Sequence, residues 1–474
     1  MTSPEDAGAM SQDRQLEALS AVVQEGFPSA VADLSRLVRI PSVSWPAFDE
    51  RHVEESAAAV ASLLEELGIF ESVTVSSAPK ADASGQGKPA VLATRPARRG
   101  RPTVLLYAHH DVQPPGDEGE WDSPAFEPTL RGDRLYGRGS ADDKAGVMAH
   151  VAAIRALRET LGDDFDLGIT VFIEGEEEAG SPSFGNFLRQ HREQLASDVI
   201  VVADSDNWSI DTPSLTVSLR GNVAFALEVR TLAHASHSGM FGGAVPDAMM
   251  ALVRILASFH DEVGAVAIEG LTTAPLETPA DDESRLRDDA GLLDGVTPVG
   301  RGNILSRVWA QPAVTVTGID APSVANASNT LLPVARARVS VRIAPGQDAQ
   351  EAYAAIQRHI ERHTPFGAQV SLAHPELGNP FLVDTSGWAV AEARAAMADA
   401  WGADAVLAGV GGSIPFIADL VDEFPSAQIL VTGVEDPETR AHSPNESLHL
   451  GVLRRAILTE ALLLSRLNTR DDLG

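Results

Sequence analysis

Apolar positions along the chain recur with two different periods, and the switches between them outline the elements. Residues 15–39 and 54–67 repeat apolar side chains at helical spacing, the first stretch ending before Ile40-Pro41. Short strand-like runs follow at 73–75 and 90–93, then the continuous apolar run Val104-Leu105-Leu106-Tyr107, the length of a buried strand. Helical spacing returns over 145–157, and the apolar run 199–203 delivers Asp204 at its end. This alternation predicts a sheet with helices on both faces.

The pattern changes after Pro213. Residues 215–219 and 223–229 read as strands, 248–259 as a helix and 314–317 as a strand. Residues 335–343 alternate polar and apolar strictly, as a half-exposed antiparallel strand does, before a helix over 349–363 and a last strand over 369–372. An acidic, Pro/Gly-rich connection over 269–302 is expected to be a long loop. Together these elements make a self-contained α+β unit, two helices on an antiparallel sheet. The first rhythm then resumes with a helix over 388–401, a strand over 429–432 and a helix over 452–467. Neither an internal repeat nor a low-complexity tract interrupts it.

Size and charge narrow the function. At 474 residues the chain can hold two domains, and 36 basic against 67 acidic residues leave a net charge of −31. No basic patch favours nucleic acid or an anionic membrane, so neither is expected as a partner. With no cysteine, any metal must be held by His, Asp and Glu. Residues 1–14 are polar, lack a signal-peptide pattern and are expected to be a disordered tail; no apolar run approaches a membrane span, and a cytoplasmic location is expected.

The chemistry gathers at strand ends. His109 and Asp111 lie two residues apart at the end of the 104–107 run and point the same way if the strand continues. Asp142-Asp143 precede the 145–157 helix, Glu174-Gly175-Glu176-Glu177-Glu178 follows an apolar run, Asp204 ends another, and His442 lies in a late loop. Imidazole and carboxylate suit zinc or manganese, and a carboxylate can bridge two ions. Because His442 belongs with His109 in such a site, the middle unit must be an insertion: 15–212 and 382–474 form one domain, and 213–381 the other. His110 is expected to be structural, on the opposite face of the strand, and Asp143 and Glu176 to be solvated or capping.

In order, the motifs are His109-His110-Asp111, Gly137-Arg138-Gly139-Ser140-Ala141-Asp142-Asp143-Lys144, Glu174 to Ser181, Asp204, His237-Ser238-Gly239, Gly411-Gly412-Ser413-Ile414-Pro415 and His442. This series resembles the carnosinase-type dipeptidases, within the dinuclear-metal exopeptidases and deacylases that include acetylornithine deacetylase, succinyl-diaminopimelate desuccinylase and glutamate carboxypeptidase. The resemblance implies an α/β fold: a mixed-sheet, zinc-exopeptidase-like catalytic domain with an inserted α+β lid or dimerisation domain.

It also implies two divalent ions, zinc first with manganese or cobalt as alternatives. One would be held by His109, Asp142 and Asp204, the other by Asp142, Glu178 and His442. Glu177 would be the general base, and Asp111 would accept the proton of the His109 ring. His237 resembles an oxyanion-stabilising histidine that in dimeric relatives reaches the other protomer's site. Arg342 resembles an arginine that grips a substrate carboxylate, and Asn329 and Ser413 resemble further substrate contacts. A cis peptide is implied at Asp142-Asp143, and a homodimer through the inserted domain. Two departures stand out: Gly409-Val410 precede Gly411 where such enzymes often carry Arg-Glu, and Ala145 replaces a usual glycine, with Gly146 following.

Three functions are compatible with these residues. The first is hydrolysis of dipeptides or very short peptides, the second deacylation of N-acyl amino acids by the same centre, and the third a metal-binding scaffold without catalysis. Retention of Glu177 and every ligand position argues against the third. Ser413 lacks the strand–turn–helix setting of a nucleophilic serine.

Overall fold

The computed structural model describes residues 12–280, 283–412 and 415–470. The chain forms two compact units. One comprises the described residues through Val217 with Val383–Ala408 and those from Asp419 onward; the other comprises Ser218–Leu382 and the described part of Gly409–Ala418.

The first unit is built on a mixed sheet in the order Ser72–Ser76, Ala90–Arg95, Gly168–Glu174, Thr103–His109, Val199–Ala203, Gln428–Thr432 and Ser214–Leu219. The strands Gly168–Glu174, Thr103–His109, Val199–Ala203 and Gln428–Thr432 run parallel to one another, while the outer pairings are antiparallel. Every residue of Gly168–Glu174 and Val199–Ala203 is buried. That explains why these strands read as unbroken apolar runs instead of alternating ones. The helices Gln12–Val38, Lys144–Leu161, Trp388–Trp401 and Leu450–Thr469 share one apolar core with the sheet, through residues such as Leu34, Val151, Ala393 and Leu463.

Gln12–Arg14 are helical, so this part of the expected disordered tail is corrected; the helical repeat extends one turn further than its apolar positions show. The remainder of 1–14 lies outside the described residues. The unit also holds a three-stranded sheet of Thr129–Arg131, Arg134–Tyr136 and Ser447–His449, which the sequence pattern does not mark because three-residue strands carry no readable period.

The second unit is a four-stranded antiparallel sheet in the order Ala313–Asp320, Val334–Ile343, Gly221–Arg230 and Gln369–Gly378, covered by helices Ala248–Ala257 and Ala349–His363. Val223, Phe225, Leu227 and Val229 alternate inward and meet Leu252, Ile255, Ile356 and Ile360. Asp247 and Asp348 cap the two helices by accepting the backbone N–H three residues on, at 3.1 and 2.9 Å. Within the 269–302 connection the chain forms a short helix, Glu283–Asp289, so it is not wholly a loop.

The division differs from the expected one near Gly409, which falls with the second unit and not with the 382–474 part of the metal-binding domain. Arg220 Nε donates to Gly411 O at 3.0 Å, and a Cβ on Gly409 would stand 2.6 Å from Trp309 Cβ, contacts that tie this strand end to the second unit.

Candidate metal centre

Three parallel strands bring their C-terminal ends to one edge of the first unit. In an open α/β sheet, that edge is where ligands bind. His109 closes its strand directly opposite Glu174, and Asp204 follows Ala203. Asp142 sits in the turn before helix Lys144–Leu161, at a cis peptide with Asp143. That helix comes unusually close to the neighbouring strand end. A Cβ on Gly146 would stand 2.4 Å from Ala203 O and 2.2 Å from Asp143 Oδ1, so glycine here allows Asp142 and Asp204 to approach each other. Glu177 and Glu178 begin the tight turn Glu177–Ala179, which Gly180 ends in the left-handed region at φ 85°.

Two groups of ligand atoms form, each within 4.8 Å of one another: His109, Asp142 and Asp204, and Asp142, Glu178 and His442. Asp142 belongs to both. Its Oδ1 lies 3.2 Å from His109 Nε2 and its Oδ2 2.9 Å from His442 Nε2, while Glu178 Oε2 is 3.4 Å from His442 Nε2. Burial opposes ionisation of Asp142, but hydrogen bonds from both histidines outweigh it and hold the carboxyl well below the usual range. Its acidic neighbours go the other way. Burial, then the charge of Asp142, pushes Glu178 up to about 10, and burial raises Asp204 to about 6. Glu177 is pushed well above the carboxylate range by burial, with Asp204, Glu174 and Asp111 nearby.

This donor set fits divalent cations. Several carboxylates crowd a space where they cannot all ionise without positive charge, and imidazole nitrogens complete two overlapping sets. Glu178 Oε1 is buried with no hydrogen-bond partner among the described residues, as a ligand oxygen would be.

Asp111 faces both the His109 ring and the acidic turn. The nearest acceptor to His109 Nδ1 is the Asp111 carbonyl at 3.1 Å, with the carboxylate at 3.4 Å. The carboxylate also accepts the N–H of Glu177 and of Glu178, each at 3.1 Å, and the Ser44 hydroxyl at 2.6 Å. It therefore aims the acidic turn, while the backbone beside it faces the His109 ring.

His110 is fully buried, with Nε2 2.9 Å from Pro89 O, and desolvation lowers its pKa to about 4, as suits a structural ring. Asp143 and Glu176 are corrected: neither is solvated and neither caps its own helical turn. Asp143 Oδ2 accepts the His109 N–H at 3.1 Å, and Glu176 accepts the backbone N–H groups of Lys88 and Ser183, each at 2.8 Å. Glu174 accepts the Tyr107 hydroxyl at 2.6 Å, and burial raises it to about 8. Gln113, which no sequence pattern marked, donates to Glu178 Oε2 at 2.5 Å.

The remaining expected residues belong to the second unit or fall outside the described residues. His237 and Asn329 are neighbours in the second unit, where Ser236–His237 pairs with Thr330–Leu331 and Ser238 N–H reaches Asn329 O at 2.9 Å. His237 Nδ1 accepts the Gly239 N–H at 3.1 Å. Arg342 sits on the central strand Val334–Ile343, opposite Asn222 on one side and Ala313 on the other. Ser413 lies outside the described residues.

A mixed α/β sheet with two overlapping His/Asp/Glu ligand sets at its strand ends defines a metal-dependent hydrolase scaffold. The chain belongs to peptidase family M20/M25/M40, whose model matches residues 105–466. It is 35% identical over 461 residues to the cysteinylglycine-S-conjugate dipeptidase of Corynebacterium striatum, covering 96% of this chain and 99% of that one. It is 27% identical over 370 residues to the Beta-Ala-His dipeptidase of Rattus norvegicus, 74% of each chain. The same fold is seen in the dipeptidase Dug1p of Saccharomyces cerevisiae, with a TM-score of 0.74, 22% identity and coverage of 98% and 100% of the two chains. Human carnosine dipeptidase 1 shares it too, with a TM-score of 0.72, 24% identity and coverage of 95% and 98%. The YXEP protein of Bacillus subtilis, described as a dinuclear metal binding peptidase of the M20 family, has the same fold with a TM-score of 0.60 and 14% identity over 94% and 98% of the two chains. Among the described residues, no helix is long and apolar enough to cross a membrane.

Proposed function

We propose that this chain hydrolyses dipeptides, with two divalent cations held by His109, Asp142 and Asp204 and by Asp142, Glu178 and His442. The observation that carries the reading is Asp142, with one oxygen 3.2 Å from His109 and the other 2.9 Å from His442. A carboxylate so shared can bridge two ions. The dipeptidase names of the relatives that match nearly the whole chain support the substrate class.

Divalent cations held by these residues would supply a lowered pKa for a water and positive charge against the developing oxyanion. Glu177, adjacent to a ligand but in neither set, takes the proton of the attacking water and passes it to the leaving amine. Asp111 holds the turn that aims it. His237 donates to the developing oxyanion, either within its own chain or across a homodimer formed through the inserted unit. Arg342 pairs its planar fork with the substrate carboxylate, and Asn329 and Ser413 add contacts. Zinc is the favoured metal, with manganese or cobalt also compatible with N/O ligands. The inserted unit acts as a lid and dimerisation domain, and the enzyme works in the cytoplasm.

The test is a panel of dipeptides, including Cys-Gly, its S-substituted forms and β-Ala-His, beside N-acetyl and N-succinyl amino acids. Metal-stripped protein reloaded with zinc or manganese is expected to cleave the dipeptides, with the stripped protein inactive. Turnover of acyl amino acids alone would transfer the same centre to the deacylase reading.

A further inference from the structure

Asp142 and His442 come from segments 300 residues apart in sequence, and one side chain joins them. Glu446 is completely buried and lies four residues beyond His442. Its Oε1 accepts the backbone N–H of Ala141 at 3.0 Å and of Asp142 itself at 3.2 Å. Its Oε2 accepts the Gly139 N–H at 3.1 Å and Arg138 Nη1 at 2.6 Å. Arg138, also buried, reaches on to Ser443 O at 3.3 Å, and the Gly137 N–H donates to Glu446 O at 3.0 Å. The carboxylate thus fastens the turn that ends in Asp142 to the loop that carries His442.

The loop needs that fastening. His442 has 59% of its side chain exposed, and its backbone is in the left-handed region at φ 62°. Arg440 and Asn445 share that conformation, at φ 58° and 62°. Exposed backbone of this kind drifts unless its surroundings over-determine it. A buried carboxylate accepting three N–H groups and a guanidinium is a strong local constraint, because charge-assisted bonds are stronger than neutral ones.

Resting on the metal-centre reading above, we infer that Glu446 is a positioning residue that sets Asp142 and His442 at ligand spacing as one piece. It touches neither substrate nor cation, and acts through the residues it holds. Residues behind metal ligands typically change affinity by about 10–100-fold when altered.

The experiment measures Zn²⁺ affinity of the full chain by competition against a chromogenic chelator, for wild type, Glu446→Gln and Asp436→Asn. Asp436 is the control: it pairs with buried Arg134 on the same segment, at 2.9 Å, but gives Asp142 no bond. Glu446→Gln is expected to weaken the weaker-binding site by about 10-fold or more, leaving KM for a cleaved dipeptide near wild type once zinc is saturating. Asp436→Asn is expected to lower the thermal midpoint without changing zinc affinity. Zinc affinity for Glu446→Gln within about fivefold of wild type, or an equal loss in Asp436→Asn, overturns the inference and leaves the dipeptidase reading standing. Wild-type protein that binds no zinc overturns both. Should Glu446→Gln not fold, Glu446→Asp, which keeps the charge against Arg138 but shortens its reach to Ala141 and Asp142, is read by the same threshold.

Discussion

Asp142→Ala is expected to abolish retention of both cations and to lower kcat/KM by about 10⁴-fold or more. The size follows from sharing: Asp142 is the one side chain common to the two ligand sets, so a single truncation removes an oxygen from each. It also leaves His109 and His442 without the carboxylate that holds them at 3.2 and 2.9 Å. Metal analysis after desalting and a thermal melt with and without zinc check this together. The wild type is expected to gain stability on zinc addition, about 2.7 kcal/mol at 100 times Kd, and the variant to gain none. A variant that keeps two cations and a zinc-dependent melt would remove Asp142 from the bridging position.

Glu177→Gln is expected to behave in the opposite way, keeping its metals and losing its turnover. The amide has the shape of the carboxylate but cannot take a proton, so kcat is expected to fall by about 10²–10⁴-fold with KM little changed. Because Glu177 is in neither ligand set, cation content is expected to stay at the wild-type value. The backbone N–H that Glu177 gives to Asp111 at 3.1 Å is untouched by the substitution, so the turn keeps its shape. Loss of a cation in this variant would make Glu177 a ligand and not the base. Measuring kcat and metal content on one sample separates the two roles.

Much of the scaffold was legible because burial writes itself into composition. Val199–Ala203 is buried along its whole length and reads as an unbroken apolar run, and the alternation over 335–343 matches the one-sided burial of Val334–Ile343. The helix expected over 349–363 is the one observed, since its Asp cap and its apolar repeat mark the same start. Candidate ligands were legible for a related reason, as polar residues that interrupt or end apolar runs.

What sequence did not disclose is which distant residues hold those ligands. Asp143 and Glu176 look like surplus members of acidic runs, yet one accepts the His109 N–H and the other secures Lys88 and Ser183. Glu446 looks like an ordinary loop glutamate until its partners, more than 300 positions away, are known. Local pattern carries burial and period, whereas long-range hydrogen bonds depend on the folded path. Asp111 illustrates the limit most clearly: spacing put it beside His109, but did not disclose that its carboxylate also accepts from Ser44, Glu177 and Glu178.

The most direct measurement is a zinc titration of the metal-stripped full chain, following Cys-Gly hydrolysis and bound zinc per chain on the same samples. A two-ion centre built around Asp142 predicts no turnover without metal, rising activity as zinc is added, and a maximum at two ions per chain. Undiminished hydrolysis by the stripped protein, or full activity with one ion bound, would contradict it.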